Sequence, residues 1–197
     1  MKQFIIYNYY KCSQQVRELR TIQQLRKNCT GESFLDVGSG SKRISRAVEA
    51  TTLDIDRRNA PDIVGEICHL PIKTSCFETV SAFEVIEHVD DDEKALRELK
   101  RVSINKVVLT VPNADRYKLP FHLLGKKRCF ISEDHKREYT INQMLQLLSK
   151  IGLHKNRLRG IGYLIIGTNI GFEILAYFLP WFSTWIYIES SIRKRGC

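Results

Sequence analysis

Phe34-Leu35-Asp36-Val37-Gly38-Ser39-Gly40-Ser41-Lys42-Arg43 is the stretch whose reading decides the fold. An apolar run enters Gly-Ser-Gly and leaves into Ile44–Glu49, which continues as a helix. A strand that turns on glycines into a helix brings backbone close to a ligand and aims free N–H groups at it. A tight turn alone would use the same glycines, so the spacing downstream matters. Thr52-Leu53-Asp54-Ile55-Asp56 follows as an apolar strand ending in a carboxylate. A carboxylate about twenty residues beyond such a turn can accept from both hydroxyls of a ribose.

Outward from this centre, strands and helices alternate. Ser33–Val37, Thr51–Ile55, Ile63–Gly65, Thr79–Val85, Lys106–Val111, Leu153–Arg159 and Thr184–Ser190 read as strands. Ser13–Lys27 spaces Val16, Leu19, Ile22 and Leu25 as an amphipathic helix. Asp91–Val102 does the same with Ala95, Leu96, Leu99 and Val102. Thr140–Lys150 carries Ile141, Met144, Leu145, Leu147 and Leu148, and Gly152 stops it. Alternation of this kind predicts parallel βαβ units with both sheet faces covered. Pro112 to Tyr139 fits neither period and reads as an insert over the carboxyl ends of the strands, where open α/β sheets bind ligands. The expected organisation is one domain over residues 1–197, with residues 1–31 as an N-terminal helix or lid and residues 112–139 as a substrate-side insert. Tyr7, Tyr9 and Tyr10 would serve that lid or pack the first helix.

Composition agrees with a globular protein: 43% of the 197 residues are hydrophobic and 27% charged. The formal net charge of +9 is uneven. One basic cluster joins Arg116, Lys118, Lys126, Lys127, Arg128, Lys136 and Arg137, and another joins Arg193, Lys194 and Arg195. Such a surface attracts nucleic acid, acidic lipid headgroups or phosphorylated small molecules, or is simply solvated. Cys12, Cys29, Cys68, Cys76, Cys129 and Cys197 form no C-x-x-C pair and no zinc-like spacing. Met1–Tyr10 lacks a basic stretch leading into an apolar run, so a reduced, cytoplasmic protein is expected. Ile161 to Ile188 holds one formal charge, Glu173, but Gly167, Asn169, Gly171 and Pro180 interrupt it. It reads as a buried helix, a proline turn and a last strand, with no transmembrane span and with peripheral membrane contact as the minor alternative.

Asp36-Val37-Gly38-Ser39-Gly40, then Asp54, then Gly65-Glu66-Ile67-Cys68-His69-Leu70-Pro71, then Phe77-Glu78, then Phe83-Glu84-Val85-Ile86-Glu87-His88-Val89 occur in this order. Together they resemble the class I S-adenosylmethionine-dependent methyltransferases, in the small-molecule branch typified by ubiquinone-biosynthesis and glycan-modifying enzymes. The resemblance runs from about Glu32 to Arg159. It implies a Rossmann-like, doubly wound α/β fold: a mostly parallel seven-stranded sheet with an antiparallel last strand and a small insert after the fifth strand. It implies that Asp36, Gly38, Ser39 and Gly40 shape the pocket for the methionine part of S-adenosylmethionine. Asp54, with Ile55 beside it, would hold the ribose hydroxyls. Glu66 would accept from the adenine amino group, and the Ile67 N–H would meet a ring nitrogen. Phe83 and Glu84 would line the wall beneath the sulfonium. Lys42 stands where the family usually has a third glycine and would add a cation near the methionine carboxylate. Glu66 and Glu78 replace the more usual aspartates.

Methyl transfer needs an acceptor held in line and, where it carries a proton, a base. His88 and His135 are the expected catalytic histidines, with His122 also in the insert. Glu84, Glu87 and His88 form an E-x-x-E-H that in some relatives binds a divalent ion such as Mg²⁺; the plainer expectation is no metal. The leading functional reading is methylation of an oxygen or nitrogen of a polar or anionic small molecule, sugar- or lipid-linked, releasing S-adenosylhomocysteine. The alternatives are an RNA methyltransferase using the basic insert and tail, and a non-catalytic or dehydrogenase-like nucleotide binder.

Overall fold

The computed structural model describes residues 2–29, 33–117, 134–163, 180 and 183–192. His122, Glu173, the side chains of Tyr7, Tyr9 and Tyr10, most of the first basic cluster and all of the second lie outside the described residues. The elements run α1 (Lys2–Asn28), β1 (Phe34–Val37), α2 (Arg43–Ala47), β2 (Thr51–Asp54), β3 (Ile63–Val64), β4 (Phe77–Phe83), α3 (Asp92–Val102), β5 (Ser103–Pro112), α4 (Ile141–Lys150), β6 (Leu153–Tyr163) and β7 (Ser183–Ile192). The seven strands form one sheet in the order β3-β2-β1-β4-β5-β7-β6. Neighbours from β3 through β5 pair in parallel, and β7 runs antiparallel to both β5 and β6. This is the doubly wound, mostly parallel sheet with an antiparallel last strand that the sequence predicts.

Side chains alternate across the strands, so each strand feeds two cores. Val107, Leu109 and Val111 of β5 join Leu35, Val37 and Leu53 against Ala95, Leu96 and Leu99 of α3 and Met144 and Leu148 of α4. Val108, with Phe34, Phe83, Trp185 and Tyr187, packs the opposite face against Leu25 of α1 and Ile44 of α2. Local sequence sets the helix ends. Asp91 accepts from the Lys94 N–H at the start of α3. Thr140 and Gln143 cap α4 reciprocally, and Gly152 stands beyond it at φ +72°.

Several strands start or end two or three residues from expectation, β5 at Ser103 instead of Lys106 among them, and four differences concern how the chain turns or extends. The first helix begins at Lys2 instead of Ser13, because no proline or glycine interrupts residues 2–28. The helix expected over Ile44–Glu49 is a five-residue turn, since Glu49 takes φ +54° and redirects the chain. The fourth strand stops at Phe83 instead of Val85, because Glu84 takes φ +58°. The sixth strand runs four residues past Arg159 to Tyr163. The feet of the insert are fixed. The Asn113 amide donates to the Pro180 and Ser183 carbonyls at 2.9 and 2.8 Å. The Asp115 carboxylate accepts from the Ile141 N–H at 2.8 Å. Asp92 receives the Tyr139 hydroxyl at 2.7 Å and the Arg137 guanidinium at 2.8 Å. Among the described residues no helix is long and apolar enough to cross a membrane. Cys68 and Cys76 are free thiols.

Candidate active site

The glycine turn closes on β2. Gly38 N–H donates to the Leu53 carbonyl at 2.7 Å, and Gly40 N–H donates to Asp54 Oδ2 at 2.8 Å. Asp54 Oδ1 accepts from the Asp56 N–H at 2.8 Å, so one carboxylate ties the turn to the strand end. Gly38 takes φ +73°, and a Cβ there would lie 2.4 Å from Val85 Cγ2. Lys42 takes φ +58°, and its ammonium donates to the Ala60 carbonyl. That corrects the expectation for Lys42, whose cation points to the β2–β3 connection and does not line the turn's cavity.

Two cavities meet at Gly38. The larger, about 520 Å³, is lined by Asp54, Ile55, Glu66 and Ile67 at one end and by His88 and Lys136 at the other. The smaller, about 130 Å³, lies between the turn and α1, against Arg17, Glu18, Asp36, Arg43 and Phe83. Asp36 is 3% exposed and accepts from the Ser45 hydroxyl at 2.5 Å and the Ser81 hydroxyl at 2.8 Å. Burial pushes its carboxyl up to about 6, against those two hydrogen bonds. The Ser39 hydroxyl beside it is buried without a partner.

Beyond β4 the chain makes a single 3-10 turn, Ile86–His88, and the foot of the insert folds onto it. The Glu87 carbonyl accepts from Lys136 N–H at 3.0 Å. His88 Nδ1 meets the Asp134 carbonyl at 3.1 Å, and His135 Nδ1 meets Glu138 Oε1 at 3.3 Å. The two rings stack edge to face with centroids 4.9 Å apart. Each spends Nδ1 on the protein and keeps Nε2 for another partner. Glu87 is fully buried, and neither carboxylate oxygen has a hydrogen bond. Burial, then the Glu84 carboxylate, push it well above the usual carboxylate range. Donor atoms of Glu87, His88 and His135 lie within 4.8 Å of one another. The expected ligand Glu84 is not in that set: it pairs with Arg17 Nη1 at 3.0 Å, and His135 stands in its place.

A family model described as a methyltransferase domain matches residues 35–110. That match covers 76 of the 197 residues. They hold β1 through most of β5 and with them the glycine turn, Asp54, Glu66 and the Glu84–His88 segment. The chain is similar to a SAM-dependent methyltransferase of Thermotoga maritima described as a possible histamine N-methyltransferase: 14% identity, TM-score 0.66, covering 98% of this chain and 97% of that one. It is similar to the magnesium protoporphyrin IX methyltransferase of Synechocystis PCC 6803, solved with bound SAH: 12% identity, TM-score 0.63, covering 94% and 86%. It is also similar to the small RNA methyltransferase HEN1, with 17% identity and TM-score 0.64 over 93% of this chain and 26% of that one. At these identities the likeness establishes a shared Rossmann-like methyltransferase fold. No curated protein matches the sequence.

The residues around the two cavities fit S-adenosylmethionine. Gly38, where the cavities meet, takes a positive φ and lies so close to the Val85 side chain that only a residue without a Cβ fits the turn. Each Asp54 oxygen receives one N–H and retains a further lone pair, and the carboxylate lines the larger cavity. The smaller cavity presents both signs of charge, as a zwitterionic amino-acid tail requires. Of the residues the sequence pointed to, Asp36, Gly38, Ser39, Gly40, Asp54, Ile55, Glu66, Ile67, Phe83 and His88 line the two cavities, while Glu84 pairs with Arg17 and His135 packs on His88. Arg17 and Glu138 were not among them. Arg17 sits on a helix whose period signals only packing, and Glu138 gains its meaning from His135.

Proposed function

We propose that this protein transfers the methyl group of S-adenosylmethionine to an oxygen or nitrogen of a polar or anionic small molecule, of the sugar- or lipid-linked kind its resemblance suggests. The observation that carries this reading is the continuity of the larger cavity from Asp54 and Glu66 to His88 and Lys136. A cavity of about 520 Å³ is in the range of small-molecule sites. When bound, S-adenosylmethionine supplies a methyl already activated by its sulfonium. The protein's task is to align the acceptor and, where needed, accept its proton. Asp54 holds the ribose, Glu66 and the Ile67 N–H hold the adenine, and Gly38, Ser39 and Gly40 hold the amino-acid tail. His88, whose Nδ1 faces the Asp134 carbonyl, presents Nε2 as base or orienting group. His135, fixed by Glu138, supports it.

The second reading is an RNA acceptor with a divalent ion. What favours it is the clustering of Glu87, His88 and His135, together with the likeness to the small RNA methyltransferase. One carboxylate and two imidazoles suit a divalent cation, which when bound would orient a pair of hydroxyls. Incubation with methyl-labelled cofactor, a small-metabolite extract and total RNA separates the readings. Label in the small-molecule fraction, retained in chelator, supports the first. Label in RNA that is lost in chelator and restored by Mn²⁺ supports the second. Label in neither fraction, with no S-adenosylhomocysteine binding, would remove the enzymatic reading altogether.

A further inference from the structure

Glu84 is held in an unusual way. Its backbone takes φ +58°, a conformation that costs a non-glycine residue free energy and is kept where the surroundings enforce it. One carboxylate oxygen meets Arg17 Nη1 at 3.0 Å, and the other is buried without a partner. Arg17 comes from α1, carries its guanidinium 5.5 Å from the Trp185 ring centroid, and has a buried Nε without a partner. Both side chains of this pair are 14% exposed. Arg17 also lines the smaller cavity, against the glycine turn and Phe83. Of the other cations nearby, Arg43 also lines that cavity but is 58% exposed and pairs with Glu18, and Lys42 donates to the Ala60 carbonyl.

A guanidinium with open donors, fixed on an aromatic face at the rim of a cavity of mixed charge, is built to take a carboxylate. Glu84 offers it one from within the protein. We propose that Arg17 exchanges carboxylates: the carboxylate of the cofactor's amino-acid tail takes the guanidinium over from Glu84. Glu84 is thus a placeholder that competes with the tail. The exchange rests on the S-adenosylmethionine reading above and adds to it which residue selects the tail. No bond is made or broken; one ion pair replaces another.

The experiment compares S-adenosylhomocysteine with 5′-methylthioadenosine, which keeps the adenosine and lacks the amino-acid tail, by calorimetry on the full chain. Arg17→Gln should weaken S-adenosylhomocysteine about tenfold or more and leave methylthioadenosine within about twofold. Glu84→Gln, with the competitor neutralised, should tighten S-adenosylhomocysteine by about threefold to tenfold and leave methylthioadenosine unchanged. Methylthioadenosine binding also reports that each variant is folded. Equal changes for the two ligands in both variants would overturn the exchange, as would a Glu84→Gln variant that weakens S-adenosylhomocysteine as much as Arg17→Gln does. If the wild-type chain binds neither ligand, the cofactor reading itself fails and the exchange with it.

Discussion

Asp54 does two things with one carboxylate: it fastens the glycine turn through the Gly40 and Asp56 N–H groups and it faces the larger cavity. Asp54→Ala removes both, and S-adenosylhomocysteine affinity should fall by a factor of about ten to a hundred, from the unpaired hydroxyls and the loosened turn. Asp54→Asn, which retains an acceptor, should lose less, and calorimetry orders the two variants; equal affinity in all three proteins would take Asp54 out of the site. Asp36 makes a prediction in pH. Its carboxyl titrates near 6 in the folded protein and near 3.8 when unfolded, so the folded state keeps the proton longer. The stability this contributes is present in full below about 3.8 and is lost as pH rises through about 6, a deficit of up to about 3 kcal/mol at neutral pH. Urea unfolding of Asp36→Asn should therefore show a weaker decline between about pH 4 and 6.5 than the wild type. A parallel decline in the two proteins would mean the carboxyl is not held in the protonated form.

At the scale of elements, what was legible was whatever the chain writes locally. The ends of α3 and α4 fell within a residue of expectation because Asp91, Thr140, Gln143 and Gly152 carry their caps in the sequence. The α4 cap is open to test. Thr140→Ala removes the hydroxyl half of a reciprocal cap, leaving the residue-140 N–H to the Gln143 side chain, and should cost about 1 kcal/mol in denaturant unfolding, with S-adenosylhomocysteine binding retained. The carboxyl ends of β1, before Gly38, and of β2, at Asp54, were legible for the same reason. The ends set by left-handed residues were not: Glu49 and Glu84 have nothing in their chemistry that announces φ near +55°. Contacts between distant elements were likewise hidden. Arg17 on α1 meets Glu84 after β4, and His135 from the insert meets Glu87, and no period or spacing links either pair.

For the whole molecule, the insert is separable only in its middle. Asn113, Asp115, His135 and Tyr139 are buried and tie β5, α3, α4 and β7 together, so excising residues 112–139 entire would unfold the protein. Replacing residues 118–133 alone by a glycine–serine run of equal length should leave S-adenosylhomocysteine affinity within about threefold while acceptor methylation is lost, because the cofactor motifs lie elsewhere. Cofactor affinity that falls as far as activity would place those residues in the cofactor pocket. The strand order has a consequence for synthesis. β6 is made before β7, yet β7 is its hydrogen-bonded neighbour, lying between it and β5. A chain emerging from a ribosome can pair β1 through β5 as they appear, whereas residues 153–163 must wait until residues 183–192 have cleared the exit tunnel. Trp185 arrives in the same late strand, so Arg17 has no aromatic floor until then. A nascent chain stalled before residue 183 would own Gly38, Asp54 and Glu66 and still lack the ring against which Arg17 rests.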